Sequence, residues 1–422
     1  MKKIKGTHDL IFEELDEWVI VENKIKYFFD KYNIREIRTP ILEYSEVFNR
    51  SSQYSDMVLK EMFHFLDKKG RDISLRPEGT SSVVRSYVEN KLYNKNNLNK
   101  FYYYGPFFRY ERPQKGRYRQ FHQFGVEFIG VSNYLSELEL FFLINDIFNI
   151  FNLYNTQIKI NTLGDIESRN AFLKDFVPYI DNHKHHLCET CLNKVKTNIL
   201  KIFDCKICSS KKFLNEAPSI FDYLTIESKN KFQKILDFFK QSKINFEVDL
   251  KLVRGLDYYT DIVFEISYFS SVHKRDFILG GGGSYNELIE EFGGSKQNSI
   301  GFAIGMERLM FALKENGFLD KHKPNSLDLY VFVLDEKIIS DALFLTRSIR
   351  QNEIKTDMNY TIFNFNKQFI KILEHKPKFI LFLGEKELEN NTFTIKKVSD
   401  KKTYMIEKKE LINFLKKELH FK

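Results

Sequence analysis

The 422-residue sequence contains no apolar run long enough to cross a bilayer as a helix, which takes about 20 residues. Its first segment, Met1 to Asp9, has no apolar stretch and is neither arginine-rich nor serine-rich, so no signal or transit peptide is predicted. The glycine fingerprints of Rossmann folds and of P-loop nucleotide-binding proteins are also missing. We therefore expect a cytoplasmic protein without a membrane partner, and we exclude both of these nucleotide-binding folds.

Cysteine is scarce, and neither sign of charge dominates. The chain has four cysteines, and 65 basic against 57 acidic side chains give a formal net charge of +8. This mildly basic balance is compatible with an RNA partner but is a weak indication by itself. Apolar residues at 43% and charged residues at 29% are typical of a soluble globular protein. A chain of this length is expected to form two or three domains.

The most informative segment is a basic run from Phe107 to Phe128, which has strand-like residues on both sides of a turn. Its five cations are Arg109, Arg112, Lys115, Arg117 and Arg119. Because like charges on one hairpin repel each other, such a run is best tolerated where a polyanion binds, although a solvated hairpin is the alternative. The planar fork of donors on Arg109 suits phosphate oxygens, which lysine does not match.

On the returning strand of this hairpin, Gln123 and Glu127 are four residues apart and are expected to face the same side of a sheet. An amide beside a carboxylate suits an imidazole and an ammonium group. If Glu127 is buried, its charge requires a cationic ligand or a neighbouring arginine.

Two other segments combine polar groups with flexible glycines. Leu75–Thr80 places Glu78 and Thr80 on either side of Gly79, where the carboxylate could hold an ammonium group or simply close a structural turn. In the segment Leu252–Glu265, Arg254 is flanked by Val253 and Gly255, which suggests a cation at a strand end.

Aromatic residues follow Arg254. Strand alternation predicts that Tyr258 and Tyr259 point to opposite faces, so that one lines a pocket and the other packs. Core aromatics with satisfied hydroxyls are the alternative.

The four glycines of Leu279–Tyr285 permit close approach to a ligand, but they also fit a plain turn. In Ser299–Met310, a strand, a glycine and a helix follow each other, with Arg308 in the first helical turn. A cation there opposes the helix dipole, which indicates an anionic ligand.

All four cysteines lie in one Lys-rich, helical segment of about residues 165–245. Cys188, Cys191, Cys205 and Cys208 form two Cys-x2-Cys pairs, a spacing typical of a four-thiolate zinc site. Four free thiols are the alternative, and a disulfide is the poorer interpretation in a reducing compartment. The neighbouring His183, His185 and His186 could compete as ligands or be exposed loop residues.

In their order along the chain, these segments resemble the histidyl-tRNA synthetase family of the class II aminoacyl-tRNA synthetases. The matching segments are Gly6–Asp9 (N-terminal signature), Glu36–Glu43 with Pro40 (motif 1, predicted as one strand), Leu75–Thr80, Phe107–Phe128 (motif 2), Leu252–Glu265 (specific to this family), Leu279–Tyr285 and Ser299–Met310 (motif 3). The resemblance implies an α+β fold. It consists of an antiparallel sheet flanked by helices in a catalytic domain of residues 1–324, with the helical insertion at about 165–245. An anticodon-binding α/β domain, predicted to have a largely parallel sheet, occupies residues 325–422.

The resemblance also implies an activity: histidine reacts with ATP to give histidyl-adenylate, and the histidyl group is then transferred to the 3′ end of histidine tRNA. It implies that Arg254 and Arg109 are catalytic at the α-phosphate. The implied histidine-binding residues are Glu78, Gly79, Thr80, Arg109, Gln123, Glu127, Arg254, Tyr258 and Tyr259, with Tyr285 near the ring. The implied ATP-binding residues are Arg109, Glu111, Arg117, Phe121 and Arg308, of which Glu111 and Arg117 could instead contact the tRNA acceptor end.

The further expectations are Mg²⁺ carried by ATP, a homodimer, and tRNA contacts through the acceptor stem and the anticodon. Two alternatives remain open at this point. One is a catalytically silent, histidine-binding regulatory paralogue, and the other is an RNA-binding or stress-sensing module related to synthetases. The first usually lacks the anticodon domain and the second needs additional domains, so the ligase interpretation is preferred.

Overall fold

The computed structural model describes residues 1–52, 55, 57–94, 98–111, 116–130, 134–321, 327–362 and 364–419. Arg112 and Lys115 of the basic run lie outside the described residues. The chain divides into two compact units, residues 1–322 and 323–422. Among the helices described, none combines the length and the apolar character that crossing a membrane requires.

The first unit is built on a large mixed sheet. The strands of this unit are β1 (Arg35–Glu36), β2 (Leu42–Tyr44), β3 (His64–Leu66), β4 (Asp72–Leu75), β5 (Asn99–Phe108), β6 (Gln120–Ile129), β7 (Thr156–Thr162), β8 (Phe246–Val248), β9 (Thr260–Ser270), β10 (Arg275–Ser284) and β11 (Ser299–Gly305). Eight of them form one sheet in the order β1-β5-β6-β11-β10-β9-β7-β8, and β2-β4-β3 form a second, small sheet. The inner strands of the large sheet pair antiparallel, and β1 and β8 at its edges pair in parallel. The predicted antiparallel sheet is thus confirmed.

Helices flank this sheet. They are α1 (Phe12–Lys31), α2 (Glu46–Ser52), α3 (Thr80–Glu89), α4 (Tyr134–Ile150), α5 (Ile166–Asn182), α6 (Glu189–Thr197), α7 (Lys212–Asn215), α8 (Ile226–Gln241), α9 (Leu288–Glu291), α10 (Met306–Glu315) and α11 (Phe318–Lys321). Shorter turns of other types are Met57–Glu61 (π) and Leu92–Asn94, Lys184–His186, Ile199–Ile202 and Ile220–Tyr223 (3-10).

Alternation along the strands gives the large sheet two different faces. On β6, Phe124, Val126 and Phe128 are fully buried in a core with helices α1, α4, α8 and α10. Gln123 and Glu127, at the intervening positions of the same strand, belong to the opposite face. The first face is therefore an apolar core, and the second one can carry polar groups.

Pro40 does not lie in a strand. The segment predicted as a single strand, Glu36–Glu43, is split between two sheets, since β1 ends at Glu36 and β2 begins at Leu42. A proline has no N–H for a sheet ladder, and the break falls where Pro40 stands. The single-strand prediction is wrong for this reason.

The segment between β7 and β8 has the predicted helical character. From Ile166 to Gln241 it consists of helices α5 to α8, short turns and connecting loops. Helix α5 buries Phe172 in the core on the second face of the sheet, whereas α8 buries Phe232 in the core on the first face. The segment therefore shares the cores of the first unit, and its status as a separate domain remains a prediction.

The second unit has its own sheet and core. Its elements are β12 (Leu329–Val333), α12 (Ile339–Arg350), β13 (Thr356–Met358), α13 (Phe365–Glu374), β14 (Phe379–Leu383), α14 (Glu385–Glu389), β15 (Thr392–Lys397), β16 (Thr403–Glu407) and α15 (Leu411–Glu418), with 3-10 turns at Glu336–Ile338 and Lys408–Glu410.

The sheet of this second unit is less parallel than predicted. Its strand order is β13-β12-β14-β15-β16. The pairings of β12 with β13 and with β14 are parallel, but those of β15 with β14 and with β16 are antiparallel. A parallel crossover needs about a dozen residues or more. The link from β14 to β15, residues 384–391, is shorter than that and contains the five-residue helix α14. The prediction of a largely parallel sheet is correct for only half of the strand pairs.

Candidate active site

A pocket on the second face of the large sheet brings most of the predicted site residues together. Its lining includes Glu78, Gly79, Thr80, Arg109, Glu111, Arg117, Phe121, Gln123, Arg254, Tyr258, Tyr259 and Arg308. Glu127 is fully buried beneath the pocket and is bonded to Thr80. Segments that are more than 200 residues apart in the sequence thus meet in one place, with carboxylates at the floor and guanidinium groups at the rim.

Glu78 lies at the floor, between strand β4 and helix α3. Its carboxylate accepts the backbone N–H of Thr80 at 2.6 Å and that of Ser81 at 2.9 Å, at the start of α3. The Tyr258 hydroxyl donates to the same carboxylate at 3.4 Å. Complete burial raises the pKa of Glu78, and this effect outweighs the bonds from Ser81 and Thr80 and the positive charge of Arg109. A carboxylate fixed and desolvated in this way is suited to pair with a cationic ligand.

Glu127 is the second floor carboxylate, and it projects from β6. Its Oε1 accepts the Thr80 hydroxyl at 2.7 Å, and its Oε2 accepts the Tyr285 hydroxyl at 2.7 Å. Burial raises the pKa of Glu127 to about 8, despite these hydroxyl bonds. The neighbouring arginine predicted for Glu127 is not found among its described hydrogen-bond and ion-pair partners. The alternative that we predicted, a cationic ligand, remains.

A glycine makes room for the Glu127 side chain. A Cβ atom at Gly301, on the adjacent strand β11, would lie 1.8 Å from Oε2 of Glu127. Gly301 is the direct partner of Glu127 in the register of β11 and β6. The carboxylate therefore lies against bare backbone, and any larger residue at position 301 would displace it.

Tyr103, which the sequence analysis missed, forms part of the same floor. Its ring is wedged between two glycines, since a Cβ atom at Gly79 or at Gly125 would lie 2.3 Å from its Cζ. Tyr103 lies opposite Gly125 in the β5–β6 register and is almost completely buried. A glycine inside an otherwise apolar strand was the available signal, because it often marks a close approach.

Two arginines at the rim of the pocket, Arg109 and Arg308, are held by backbone carbonyls. Arg109 donates through Nε to the Pro77 carbonyl at 2.9 Å, and its guanidinium lies 5.4 Å from the Phe121 ring centre. Arg308, at the start of α10, donates through Nη1 to the Ile278 carbonyl at 2.6 Å. Burial lowers the pKa of Arg308, and the nearby charges of Arg117 and Arg109 lower it further. Such a group of cations is a natural binding site for a polyanion.

Arg117 and Glu111 form a more exposed pair at the rim. Arg117 Nη1 lies 3.1 Å from Glu111 Oε2, and 46% of the Arg117 side chain is exposed to solvent. Their position on the basic hairpin places both side chains at the mouth of the pocket.

Arg254 is paired with Glu265 of strand β9, a second residue that the sequence analysis did not single out. The Nε atom of Arg254 is buried and has no hydrogen-bond partner among the described residues. A Cβ atom at Gly281 would lie 2.9 Å from the Arg254 Cζ, so the guanidinium rests on the backbone of β10. An acidic residue within an apolar strand, Ile262 to Tyr268, was the signal that could have identified Glu265.

Tyr258 and Tyr259 do not alternate as predicted. They precede β9, which begins at Thr260, so strand alternation does not apply to them. Both are buried, both line the pocket, and their ring centres are 4.8 Å apart. The prediction that only one of them lines the pocket is wrong.

The glycine run is part of strand β10 and is not a turn. Gly283 leaves space for an aromatic ring, since a Cβ atom there would lie 2.8 Å from Cδ1 of Tyr259. A Cβ atom at Gly280 would lie 2.1 Å from the Ala303 carbonyl oxygen, and one at Gly282 would lie 2.0 Å from the Gly301 carbonyl oxygen. The run therefore forms a wall made of backbone, which fits the close-approach interpretation and rules out the plain turn.

Comparison with known proteins agrees with this geometry. The sequence model described as histidyl-tRNA synthetase matches residues 6–171 and 182–309. This chain belongs to the histidyl-tRNA synthetase family. A further model, described as an anticodon-binding domain, matches residues 328–418 in the second unit.

Individual members of the family align along nearly their whole length. A histidine–tRNA ligase of Phytoplasma mali is 49% identical over 99% of both chains. The corresponding ligase of Acholeplasma laidlawii is 39% identical over 99% of both chains. The crystal structure of apo Staphylococcus aureus histidyl-tRNA synthetase matches with a TM-score of 0.84 at 34% identity, covering 99% of this chain and all of that one. The predicted α+β fold is confirmed.

In this member of the histidyl-tRNA synthetase family, the four cysteines converge within the helical segment between β7 and β8. Their sulfur atoms all lie within 4.8 Å of one another, and none is in a disulfide. Cys191, Cys205 and Cys208 are buried, while Cys188 is half-buried. Although predicted as possible competitors, the nearby histidines are not part of this group; His183 Nδ1 instead lies 2.8 Å from the Tyr179 carbonyl.

Proposed function

We propose that this chain is an ATP-dependent histidine–tRNA ligase, and that the pocket of the first unit is its active site. The observation that carries this proposal is the separation of charge within the pocket. Glu78 and Glu127 form an acidic floor, and Arg109, Arg254 and Arg308 form a basic rim. A ligand pair with cationic groups at one end and phosphates at the other, such as histidine with ATP, is complementary to this arrangement.

Histidine would bind at the floor. Glu78 and Thr80 accept the α-ammonium group, and Glu127 with Gln123 faces the imidazole. Tyr258, Tyr259 and the backbone at Gly79 enclose the amino acid. Burial raises the pKa of Glu127 to about 8, so a cationic group of the ligand would favour the ionised carboxylate and release its proton. An apolar amino acid side chain of the same size would not pair with the Glu127 carboxylate, so it would bind less tightly. The floor would therefore be selective for histidine.

ATP would bind at the rim, with its phosphates among the arginines. Arg109 contacts the α-phosphate, and Phe121, whose ring Arg109 already contacts, packs against the adenine. Arg308 binds the γ-phosphate, because its guanidinium is fixed by a backbone carbonyl and has no carboxylate partner among the described salt bridges. Glu111 and Arg117 contact ATP or the acceptor end of the tRNA from the mouth of the pocket. Mg²⁺ carried by the ATP phosphates would neutralise part of the charge that develops on pyrophosphate.

The reaction would proceed in two steps. An oxygen of the histidine carboxylate attacks the α-phosphorus, the bond to the β-phosphate bridging oxygen breaks, and pyrophosphate leaves. Arg109 and Arg254 stabilise the negative charge on the α-phosphate oxygens in this step. A hydroxyl of the terminal adenosine of the tRNA then attacks the carbonyl carbon of the adenylate, which forms the ester and releases AMP.

The remaining proposals concern organisation. Residues 1–324 would be the catalytic domain and residues 325–422 the anticodon-binding domain, which is supported by the family match at residues 328–418. A homodimer is supported by the small sheet β2-β4-β3, which exposes Leu42, Tyr44, Phe65 and Leu66 at fractions of 48% to 69%. Cytoplasmic location follows from the role in protein synthesis.

The test is histidine-dependent exchange of pyrophosphate with ATP, measured on the wild type and on Arg254→Ala. Arg275→Ala is the matched control, because Arg275 lies exposed at the start of β10. We expect exchange that requires histidine and falls at least about 100-fold in Arg254→Ala but not in the control. A protein that binds histidine without catalysing exchange would instead be a regulatory paralogue, and the ligase proposal would be wrong.

A further inference from the structure

The four cysteines are arranged as a metal site. A tetrahedron of sulfurs about 2.3 Å from a central zinc ion has edges of about 3.8 Å. The sulfurs of Cys188 and Cys205 are 3.7 Å apart, and all four lie within 4.8 Å of one another. The Cys188 backbone N–H donates to the Cys208 sulfur at 3.3 Å. Such N–H bonds stabilise thiolates, which are the form that binds zinc.

The surroundings favour a site of negative charge. A zinc ion with four thiolates carries a net charge of −2. Between residues 184 and 212 there are seven lysines and two acidic residues, Glu189 and Asp204. Lys184, Lys201 and Lys212 pair with Asp181, Asp257 and Glu216. The other lysines would balance part of the charge of the loaded site.

A cross-link would also stabilise the local fold. Between the end of α5 and the start of α8, the longest helix is α6 with nine residues, and α7 has four. Isolated helices of this length are marginal in water. A metal that joins Cys188 and Cys191 to Cys205 and Cys208 would fix α6 and the 3-10 turn Ile199–Ile202 relative to each other.

This segment is connected to the pocket through one carboxylate. Asp257 lies between Arg254 and the tyrosine pair. Its Oδ1 accepts the Asn198 amide at 2.8 Å and lies 2.6 Å from the Lys201 Nζ. Only 7% of the Lys201 side chain is exposed, so this ion pair is largely desolvated and its geometry is restrictive.

The connection from Lys201 back to the sulfurs is short. The Cys205 backbone N–H donates to the Ile202 carbonyl at 3.1 Å, so the turn that carries Lys201 runs directly into Cys205. Cys191, Cys205 and Cys208 also belong to the same hydrophobic cluster as Tyr258 and Tyr259.

We propose that Cys188, Cys191, Cys205 and Cys208 bind one zinc ion, and that this ion, through Asn198 and Lys201, positions Asp257 and with it the loop 254–259. Lys201 and Asp257 are positioning residues in this scheme, since neither needs to contact a substrate. The positional part rests on the proposed function, because it assumes that Tyr258 and Tyr259 bind histidine. Loss of zinc should then weaken histidine binding more than ATP binding.

The metal is tested first, on the full-length protein. We expect about one zinc ion per chain by elemental analysis, and none in the double variant Cys188→Ser with Cys205→Ser. Removal of zinc by a chelator should lower the melting temperature, and added zinc should restore it. A chain purified without metal whose melting temperature is unaffected by zinc or by chelator would overturn the site, and so would iron found in place of zinc.

The positional link is tested with Lys201→Met, compared with Lys206→Met, an exposed lysine next to Cys205. Lys201→Met should keep its zinc but raise the KM for histidine in the exchange assay about tenfold, with the KM for ATP nearly unchanged. Lys206→Met should match the wild type. Equal histidine KM values in both variants would exclude the link and leave the zinc site intact. Zinc in a chain without any histidine-dependent exchange would instead count against the proposed function.

Discussion

The floor and the rim of the pocket carry opposite charges and are built in different ways. The floor carboxylates, Glu78 and Glu127, are 3% and 0% exposed and are fixed by backbone N–H groups and hydroxyls from separate segments. At the rim, Arg109 and Arg308 are anchored to carbonyls and open toward the mouth of the pocket.

The difference between the two regions lies in what burial does to the charge. At the floor, desolvation raises the pKa of both carboxyl groups, so a cation that binds there shifts them toward the ionised form. At the rim, burial lowers the pKa of Arg308, but arginine is so strongly basic that this guanidinium stays charged. In the proposed function, the floor would therefore be the selective site, whereas the rim would attract anions in general. The following predictions separate the two.

The largest effect is expected from Glu127→Gln, which keeps the shape of the side chain and removes its charge. A cationic ligand would lose its buried partner, at a cost of about 4 kcal/mol, or about 1,000-fold in kcat/KM for histidine. Steady-state exchange kinetics would measure this. Glu247→Gln on β8, which is paired with Lys159 and half-exposed, is the control and should be close to the wild type. If the KM for ATP rises instead, the floor does not select the amino acid.

The same substitution should stabilise the protein in the absence of ligand. The pKa of Glu127 is raised from 4.5 to about 8, so the folded wild type loses stability as the pH rises through this range. Glu127→Gln removes that loss, and at pH 7 it should raise the free energy of unfolding by about 3 kcal/mol. Urea denaturation at pH 5, 7 and 8.5 should show a difference that is small at pH 5 and grows with pH. If the difference in the free energy of unfolding between the two proteins does not change with pH, Glu127 is not buried as a neutral carboxyl group.

At the rim, Arg308→Met should affect ATP and leave histidine binding nearly unchanged. Loss of a charge-assisted bond to phosphate costs about 2 kcal/mol, which corresponds to about 30-fold in the KM for ATP. Arg275→Met, an exposed arginine that stacks on Phe277, is the matched control. Equal effects on both substrates would show that floor and rim are not separate sites.

The smallest effect is expected from Arg117→Ala. Its pair with Glu111 is half-exposed, and such pairs contribute about 0–1 kcal/mol. The exchange rate should therefore change by no more than about fivefold, and less at high salt. Measuring exchange at low and high salt would check this, and a large effect that does not depend on salt would place Arg117 among the tightly bound contacts.

Many residues of the floor and the rim can be predicted from the sequence because each of their segments has a distinctive local pattern. Arg109 and Arg308 can be identified from the residue order of their own segments, without knowing which residues surround them in the fold. Tyr103 and Glu265 are different, because their roles depend on which strand lies beside them. Tyr103 is important only because Gly125 faces it across β5 and β6, and Glu265 only because Arg254 reaches it.

Two predictions about the fold were wrong for a similar reason, because the local sequence pattern did not contain the information that decides them. Tyr258 and Tyr259 look like strand residues, but the strand begins one residue later. The sheet of the second unit was predicted to be largely parallel, but the link between β14 and β15 is too short to bring the chain back in the parallel direction. In both places, the start or the length of an element determines the outcome, and local patterns define these weakly.

The wall formed by Gly280–Gly283 has a consequence for inhibitors of this protein. Resistance to a competitive inhibitor commonly arises when a side chain in contact with it is exchanged for a smaller or a larger one. Here there is no side chain to shorten. Of the four glycines, Gly280 and Gly281 line the pocket. A Cβ atom at Gly280 would lie 2.1 Å from a carbonyl oxygen of β11, and one at Gly281 would lie 2.6 Å from a carbonyl oxygen of β9. A compound that makes its closest contacts with this wall would therefore meet a surface that point mutation cannot reshape without disrupting the sheet that carries the active site.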